Sequence, residues 1–162
     1  MSNLKRVNKE FKNLSEYINN GDFNSHRYLN IKSINQNNTF IELSFLGPID
    51  TPYEEIINIV TIDIPDKYPN TPPTIKFKNN LFHPNISQHD GGICLDILKD
   101  KWSPVYTLET LMTSIISLLS EPNPDSPLNG DAAKMYIDSL SDTKKRRLYK
   151  AKILELSEKK FI

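Results

Sequence analysis

The chain has 162 residues, 38% of them hydrophobic and 25% charged, which is the size and mix of one globular domain with a real core. Lys plus Arg and Asp plus Glu both number 20, so no net field draws the chain to nucleic acid or to a membrane surface. A lone cysteine excludes an internal disulfide and a multi-cysteine zinc site, and makes a reducing intracellular compartment (cytoplasm or nucleus) the expectation.

Residues 3–19 predict a first helix. Leu4, Val7, Phe11, Leu14 and Ile18 recur at helical spacing with Lys5, Arg6, Lys9 and Lys12 between them, and Gly21 ends the run. The start at Met1 lacks an apolar stretch, so no signal peptide is expected, and no apolar cluster is long enough to span a bilayer. Residues 28–34 alternate from Leu29 on and predict a strand. A polar turn at residues 35–38 leads to a second strand over Phe40–Leu46, so the pair reads as an antiparallel hairpin. Gly47-Pro48 breaks it. Residues 57–64, rich in Ile and Val, predict a third strand. Pro65, Pro69, Pro72 and Pro73 then exclude regular structure until a short fourth strand over Thr74–Phe77.

Residues 79–104 have no period, yet hold the only Cys and the only Trp; a long ordered loop of this kind is more often functional than not. Thr107 is the expected N-cap of a buried helix carrying Leu108, Leu111, Met112, Ile115, Ile116 and Leu119. Pro122, Pro124 and Pro127 stop it. Residues 131–140 predict a short helix, and Ser141-Asp142 caps a last one to about Lys160, with Leu148, Ile153 and Leu156 as its buried stripe. There is no repeat, linker or low-complexity tract, so residues 1–162 read as a single domain. Strands followed by helices in blocks imply an α+β fold with an antiparallel sheet.

The chemistry concentrates in the long loop. His83-Pro84-Asn85 is followed after eight residues by Cys94, and Cys94 after seven more by Trp102-Ser103-Pro104. Upstream lies Tyr68-Pro69-Asn70-Thr71-Pro72-Pro73, and downstream Glu121-Pro122-Asn123-Pro124-Asp125-Ser126-Pro127-Leu128. Each piece alone is a weak signal, but all of them in this order and spacing are specific. With these motifs the chain resembles the ubiquitin-conjugating enzyme family over essentially its whole length, most tightly from Tyr68 to Tyr136. The resemblance implies an N-terminal helix, a four-stranded meander and C-terminal helices. It implies that Cys94 carries ubiquitin as a thioester and passes it to a substrate lysine, with Asn85 supporting catalysis and Ser126 at the gate. His83, Pro84, Asp96 and Leu128 support the motif. Lys5, Arg6 and Lys9 would dock the activating enzyme. Pro69, Asn70, Trp102, Ser103 and Pro104 would receive a ligase. No cofactor or metal is implied, because ATP is used by the activating enzyme.

The residue chemistry agrees with that reading. Thiolates exchange with thioesters of similar energy, so no protease-like triad is needed and none is evident. The acceptor step is harder. A free lysine has a pKa of about 10.4 and must lose a proton to attack. Attack builds an oxyanion, to which a side-chain amide such as that of Asn85 can donate. Gly91-Gly92 is expected to leave room for an incoming peptide tail.

Plainer readings stand beside these. A lone Cys is usually a buried hydrophobe. Asn85 can instead pin the loop through backbone hydrogen bonds. His83 reads as structural, His89 as a solvated loop residue, and Trp102 as core more often than contact. The run Lys144-Lys145-Arg146-Arg147 reads as a solvated helix face, with Asp142 before it and Glu155 and Glu158 after.

The chain departs from the family pattern in places. Glu55-Ile56-Ile57 stands where glycines are common after Pro-Tyr-Glu. The loop before the cysteine is one residue longer than in the shortest members. Ser126 stands where many members carry an acid, and Ser126-Pro127 has the form of a proline-directed phosphorylation site. Asn70 stands where some relatives place a large hydrophobic residue for ligases that form their own thioester, which favours RING-type ligases. The motif details sit nearest the branch that ubiquitinates histones and acts in DNA repair. Alternatives are a catalytically silent adaptor, which the presence of Cys94 argues against; conjugation of another ubiquitin-like modifier, against which stands the lack of an insertion between Cys94 and Trp102; and a cysteine hydrolase, which lacks its oriented His.

Overall fold

The computed structural model describes residues 2–20 and 29–157. Helix α1 covers Ser2–Asn20, with Val7 and Leu14 buried and Phe11 and Ile18 half-buried against the body. The predicted stripe begins one turn too early. Leu4 is 52% exposed, and the packed stretch starts only at Arg6 and Val7. The expected stop at Gly21 lies outside the described residues, as does Tyr28.

Strands β1 (Asn30–Ile34), β2 (Phe40–Leu46), β3 (Ile57–Asp63) and β4 (Thr74–Phe77) form one antiparallel meander in that order. The β1–β2 register slips between Ile31 and Ser33, while β2 and β3 pair without interruption from Phe40 opposite Asp63 to Leu46 opposite Ile57. The β1–β2 turn is shaped by Asn35, whose Oδ1 accepts the backbone N–H groups of Thr39 and Phe40, and by Asn38 at φ 58°. Alternation puts Ile41, Leu43, Phe45, Val60, Ile62, Ile75 and Phe77 on one face. Asn58 shares it, buried but satisfied, donating to Ile56 O and accepting from Asn79.

That face packs into one core with helix α2 (Leu108–Ser120) and with Tyr149 and Ile153 of helix α4 (Thr143–Ser157). Thr107 caps α2 by accepting the Thr110 N–H, as expected. Helix α3 (Gly130–Ser139) starts one residue earlier than predicted, because Asn129 caps it through the Ala132 N–H. Asp142 accepts from Lys144 and Lys145 at the start of α4, and the expected extension to Lys160 lies outside the described residues. The buried stripe of α4 runs through Tyr149, Ile153 and the half-buried Leu156, at i, i+4 and i+7. Leu148 is 56% exposed, because one residue of offset turns it about 100° away from that stripe. The fold is α+β with a four-stranded meander, as the element order implied.

Candidate active site

The supposedly irregular stretch before Cys94 is a small hairpin stitched to the sheet edge. Phe77 N–H donates to Gly91 O at 2.9 Å, and Lys76 bridges Gly92. Ser87 N–H donates to Gly92 O and Gly91 N–H to Ser87 O, while Ile86 bridges Ile93. Cys94 N–H then donates to Asn85 O at 2.9 Å, which sets the cysteine directly across from the asparagine. The Gly91 backbone sits at φ 75°, and a Cβ there would lie 1.9 Å from Phe77 O. So Gly91 is required by the chain's own approach to β4, not by room for an incoming tail. Asp90 closes the turn. The Gly92 N–H it accepts, and then Lys76 at 3.5 Å, hold its carboxyl below the usual range.

His83 and Asn85 are fully buried. His83 Nδ1 accepts the Asn85 N–H at 2.9 Å, so its proton sits on Nε2 and is donated to Leu118 O at 2.9 Å. Both ring nitrogens are thereby used structurally, as the sequence suggested. Pro84 O accepts from Leu128 N–H and Asn129 N–H. The Asn85 side chain completes the clamp. Its Nδ2 donates to Asn123 O at 2.7 Å and Ser126 O at 3.3 Å, and its Oδ1 accepts from Asn123 N–H at 2.8 Å. The motif thus ties residues 123–129 to the strand opposite Cys94.

Cys94 is half-buried and Ser126 is exposed. Leu128 lines an open groove of about 530 Å³ together with Gly92, Leu98, Lys76, Asp90 and Ile93, the chain neighbour of the cysteine. Asp96 is exposed and opens a 3-10 turn, Asp96–Leu98; its carbonyl accepts from Lys99 and Lys101. Its part is to turn the chain after the cysteine. Among the described residues no group of three or more His, Cys, Asp or Glu could hold a metal ion, and no helix is long and apolar enough to cross a membrane.

A family model described as ubiquitin-conjugating enzyme matches residues 6–153. The chain belongs to the ubiquitin-conjugating enzyme family. It is 42% identical over 116 residues to Ubiquitin-conjugating enzyme E2 3 of Arabidopsis thaliana, covering 72% of this chain and 73% of that protein. It is 41% identical over 121 residues to Ubiquitin-conjugating enzyme E2 1 of Caenorhabditis elegans, covering 75% of this chain and 59% of that protein's length. The fold is similar to that of the H. polymorpha ubiquitin conjugating enzyme Pex4p, solved in complex with the soluble domain of Pex22p. That similarity has a TM-score of 0.85, 27% identity, and 99% and 98% of the two chains covered.

The residues that the family resemblance assigned to docking fall into two groups. Lys5 and Lys9 are exposed on α1. Arg6 is instead engaged, its Nη2 donating to Pro104 O at 2.8 Å and Tyr106 O at 3.0 Å. Trp102 is a half-buried strut. It donates from Nε1 to Pro69 O at 2.9 Å and packs between Tyr68 and Tyr106, with ring centroids 6.0 Å from each. It therefore joins the loop of Pro69 and Asn70 to the loop of Ser103 and Pro104. Two buried polar features escaped the sequence reading. One is Glu10, which sits between Val7 and Leu14 at i+3 and i−4, and that spacing was the available signal. The other is the Tyr53–Tyr149 hydroxyl pair at 3.0 Å.

Burial holds the His83 imidazole neutral and lowers its pKa to about 4, from an ordinary 6.5. The unfolded chain therefore binds the extra proton between those values. Stability is full above about pH 6.5 and falls by about 3 kcal/mol as pH drops through 4. Denaturant midpoints measured across this window are expected to show that slope in wild type, and His83→Gln to lack this component. Equal slopes would contradict the assignment.

Proposed function

We propose that Cys94 accepts ubiquitin as a thioester from the activating enzyme and transfers it to a substrate lysine, usually with a RING-type ligase. The observation that supports this most is the position of Cys94. It is the single cysteine of the chain, half-exposed at the end of a locked hairpin, opposite a clamped asparagine and one residue after Ile93, which lines an open groove. In the first step the Cys94 thiolate attacks the ubiquitin thioester, a new C–S bond forms, and the activating enzyme's thiolate leaves. In the second step a lysine amine attacks the same carbonyl. The amide C–N bond forms, the C–S bond breaks, Cys94 leaves as thiolate, and the surplus amine proton passes to solvent or a nearby acceptor.

Asn85 serves the second of those steps in two ways. Its 2.7 and 2.8 Å bonds to Asn123 hold the gate loop. Its longer 3.3 Å bond to Ser126 O is the one that yields, freeing an N–H for the oxyanion. Lys5 and Lys9 face the activating enzyme, with Arg6 shared between that surface and the loop of Pro104. Pro69, Asn70, Ser103 and Pro104, braced by Trp102, face the ligase. Leu128 lines the approach to the thioester.

Incubation with ubiquitin, activating enzyme and ATP is expected to give a ubiquitin-sized adduct on a non-reducing gel, removed by thiol reductant and absent from Cys94→Ala. An adduct that persists in Cys94→Ala contradicts the reading. No adduct, with the activating enzyme itself charged, points instead to another modifier or an adaptor. At the gate, Ser126→Asp is expected to speed lysine discharge about threefold, since an acid there draws in the acceptor ammonium and takes up its proton. Phosphate on Ser126, with about two negative charges, acts in the same direction. Identical single-turnover discharge rates for wild type and Ser126→Asp would count against this.

A further inference from the structure

Helix α1 turns a carboxylate into the protein. Glu10 is 4% exposed, at a position where a leucine would serve the core. Its Oε1 accepts the N–H of Leu108, the first residue of α2, at 3.1 Å. Its Oε2 accepts the Tyr68 hydroxyl and pairs with Arg6 Nε at 3.2 Å. Arg6 passes the connection on, through Nη2 to the carbonyls of Pro104 and Tyr106, and its guanidinium lies 5.8 Å from the Tyr68 ring centroid. Tyr68 immediately precedes Pro69, whose carbonyl accepts from Trp102. One carboxylate thus gathers α1, the start of α2 and both loops read above as ligase-facing.

A buried ion pair is weak evidence for stability, since an apolar replacement is often as good or better. Its retention points to a geometry that the site needs. Here the geometry is the spacing of two short loops that have no sheet or helix of their own to set it.

We infer that Glu10 is a positioning residue for ligase engagement: by holding Tyr68, Arg6 and Leu108 together it fixes the loop of Pro69 and Asn70 relative to the loop of Ser103 and Pro104. The inference rests on the reading that these loops receive the ligase.

The test uses full-length protein charged beforehand with ubiquitin, so that the activating step is out of play. Discharge to free lysine is followed without ligase and over a titration of a RING-type ligase domain, for wild type, Glu10→Gln and Tyr68→Phe. The ligase KM is expected to rise about tenfold in Glu10→Gln and severalfold in Tyr68→Phe, the scale of one lost hydrogen bond to a charged group. Ligase-free discharge, and the rate at saturating ligase, are expected to stay within about twofold. An unchanged ligase KM, or a parallel loss of ligase-free discharge, overturns the inference. A wild-type chain that charges but gains nothing from any RING-type domain overturns the reading of the loops and this inference with it. Stimulated wild type beside unmoved variants overturns this inference alone.

Discussion

Asn85→Ala is expected to slow lysine discharge about 100-fold while leaving thioester formation within about twofold. The asymmetry follows from the geometry. Thioester exchange trades one C–S bond for another and needs little beyond an accessible Cys94 thiolate. Amide formation needs the gate loop in place and the oxyanion stabilised. Alanine removes all three side-chain bonds to residues 123 and 126, leaving the Asn123 N–H and two carbonyls without those partners. Hydrogen exchange reports the clamp separately from the chemistry. The Asn123 amide is expected to lose its protection in Asn85→Ala, and in Asn85→Asp to keep part of it, since a carboxylate still accepts from that N–H but cannot donate. Transfer at the wild-type rate in Asn85→Ala would remove both roles at once.

Gly91→Ala is the second large effect. A left-handed φ costs a non-glycine residue about 1 kcal/mol, and the new Cβ would meet the Phe77 carbonyl at 1.9 Å, a clash with backbone that no rotamer relieves. The hairpin must then part from β4, giving up the Phe77–Gly91 hydrogen bond. The expected loss is about 3 kcal/mol, or about 10 °C in the thermal midpoint for a chain of this size. Charging of Cys94 should fall with it, because the same hairpin carries the cysteine. Gly92→Ala is the control. Its Cβ would meet only the tip of the exposed Asp90 side chain, at 3.0 Å, which can swing away. A thermal midpoint in Gly91→Ala equal to that of Gly92→Ala would show that the approach to β4 does not matter.

Where a segment's own period decides its structure, the chain could be read in advance. The strands Phe40–Leu46 and Thr74–Phe77 and the helix capped by Thr107 fall where alternation, proline and capping place them. The misreadings share a cause, since each turns on what lies across from a residue. Leu148 and Tyr149 differ by one step on a helix whose sides are all largely polar, and what lies opposite, the Tyr53 hydroxyl and the rings of Phe82 and Tyr136, selects the tyrosine. Leu4 belongs to the apolar period of α1 but has no core beneath it. Gly91 looked like access for a tail because β4, the strand it approaches, lies many residues earlier in the chain. At the candidate site, the motif spacing pointed to His83, Asn85 and Cys94, which the fold brings together, and the protonation of His83 followed once both ring nitrogens had partners. Whether Asn85 clamps or donates was open in the sequence; the clamp became visible only with the carbonyls of Asn123 and Ser126 in place.

The central claim is that Cys94 itself carries the modifier. Intact-mass measurement after charging, without reductant, is its most direct test. The expected result is one added ubiquitin less one water on wild type, reversed by thiol reductant, and an adduct on Cys94→Ser that survives reductant because it is an ester. A reductant-sensitive adduct on Cys94→Ser, or wild-type protein left at its unmodified mass while the activating enzyme is charged, would contradict the account.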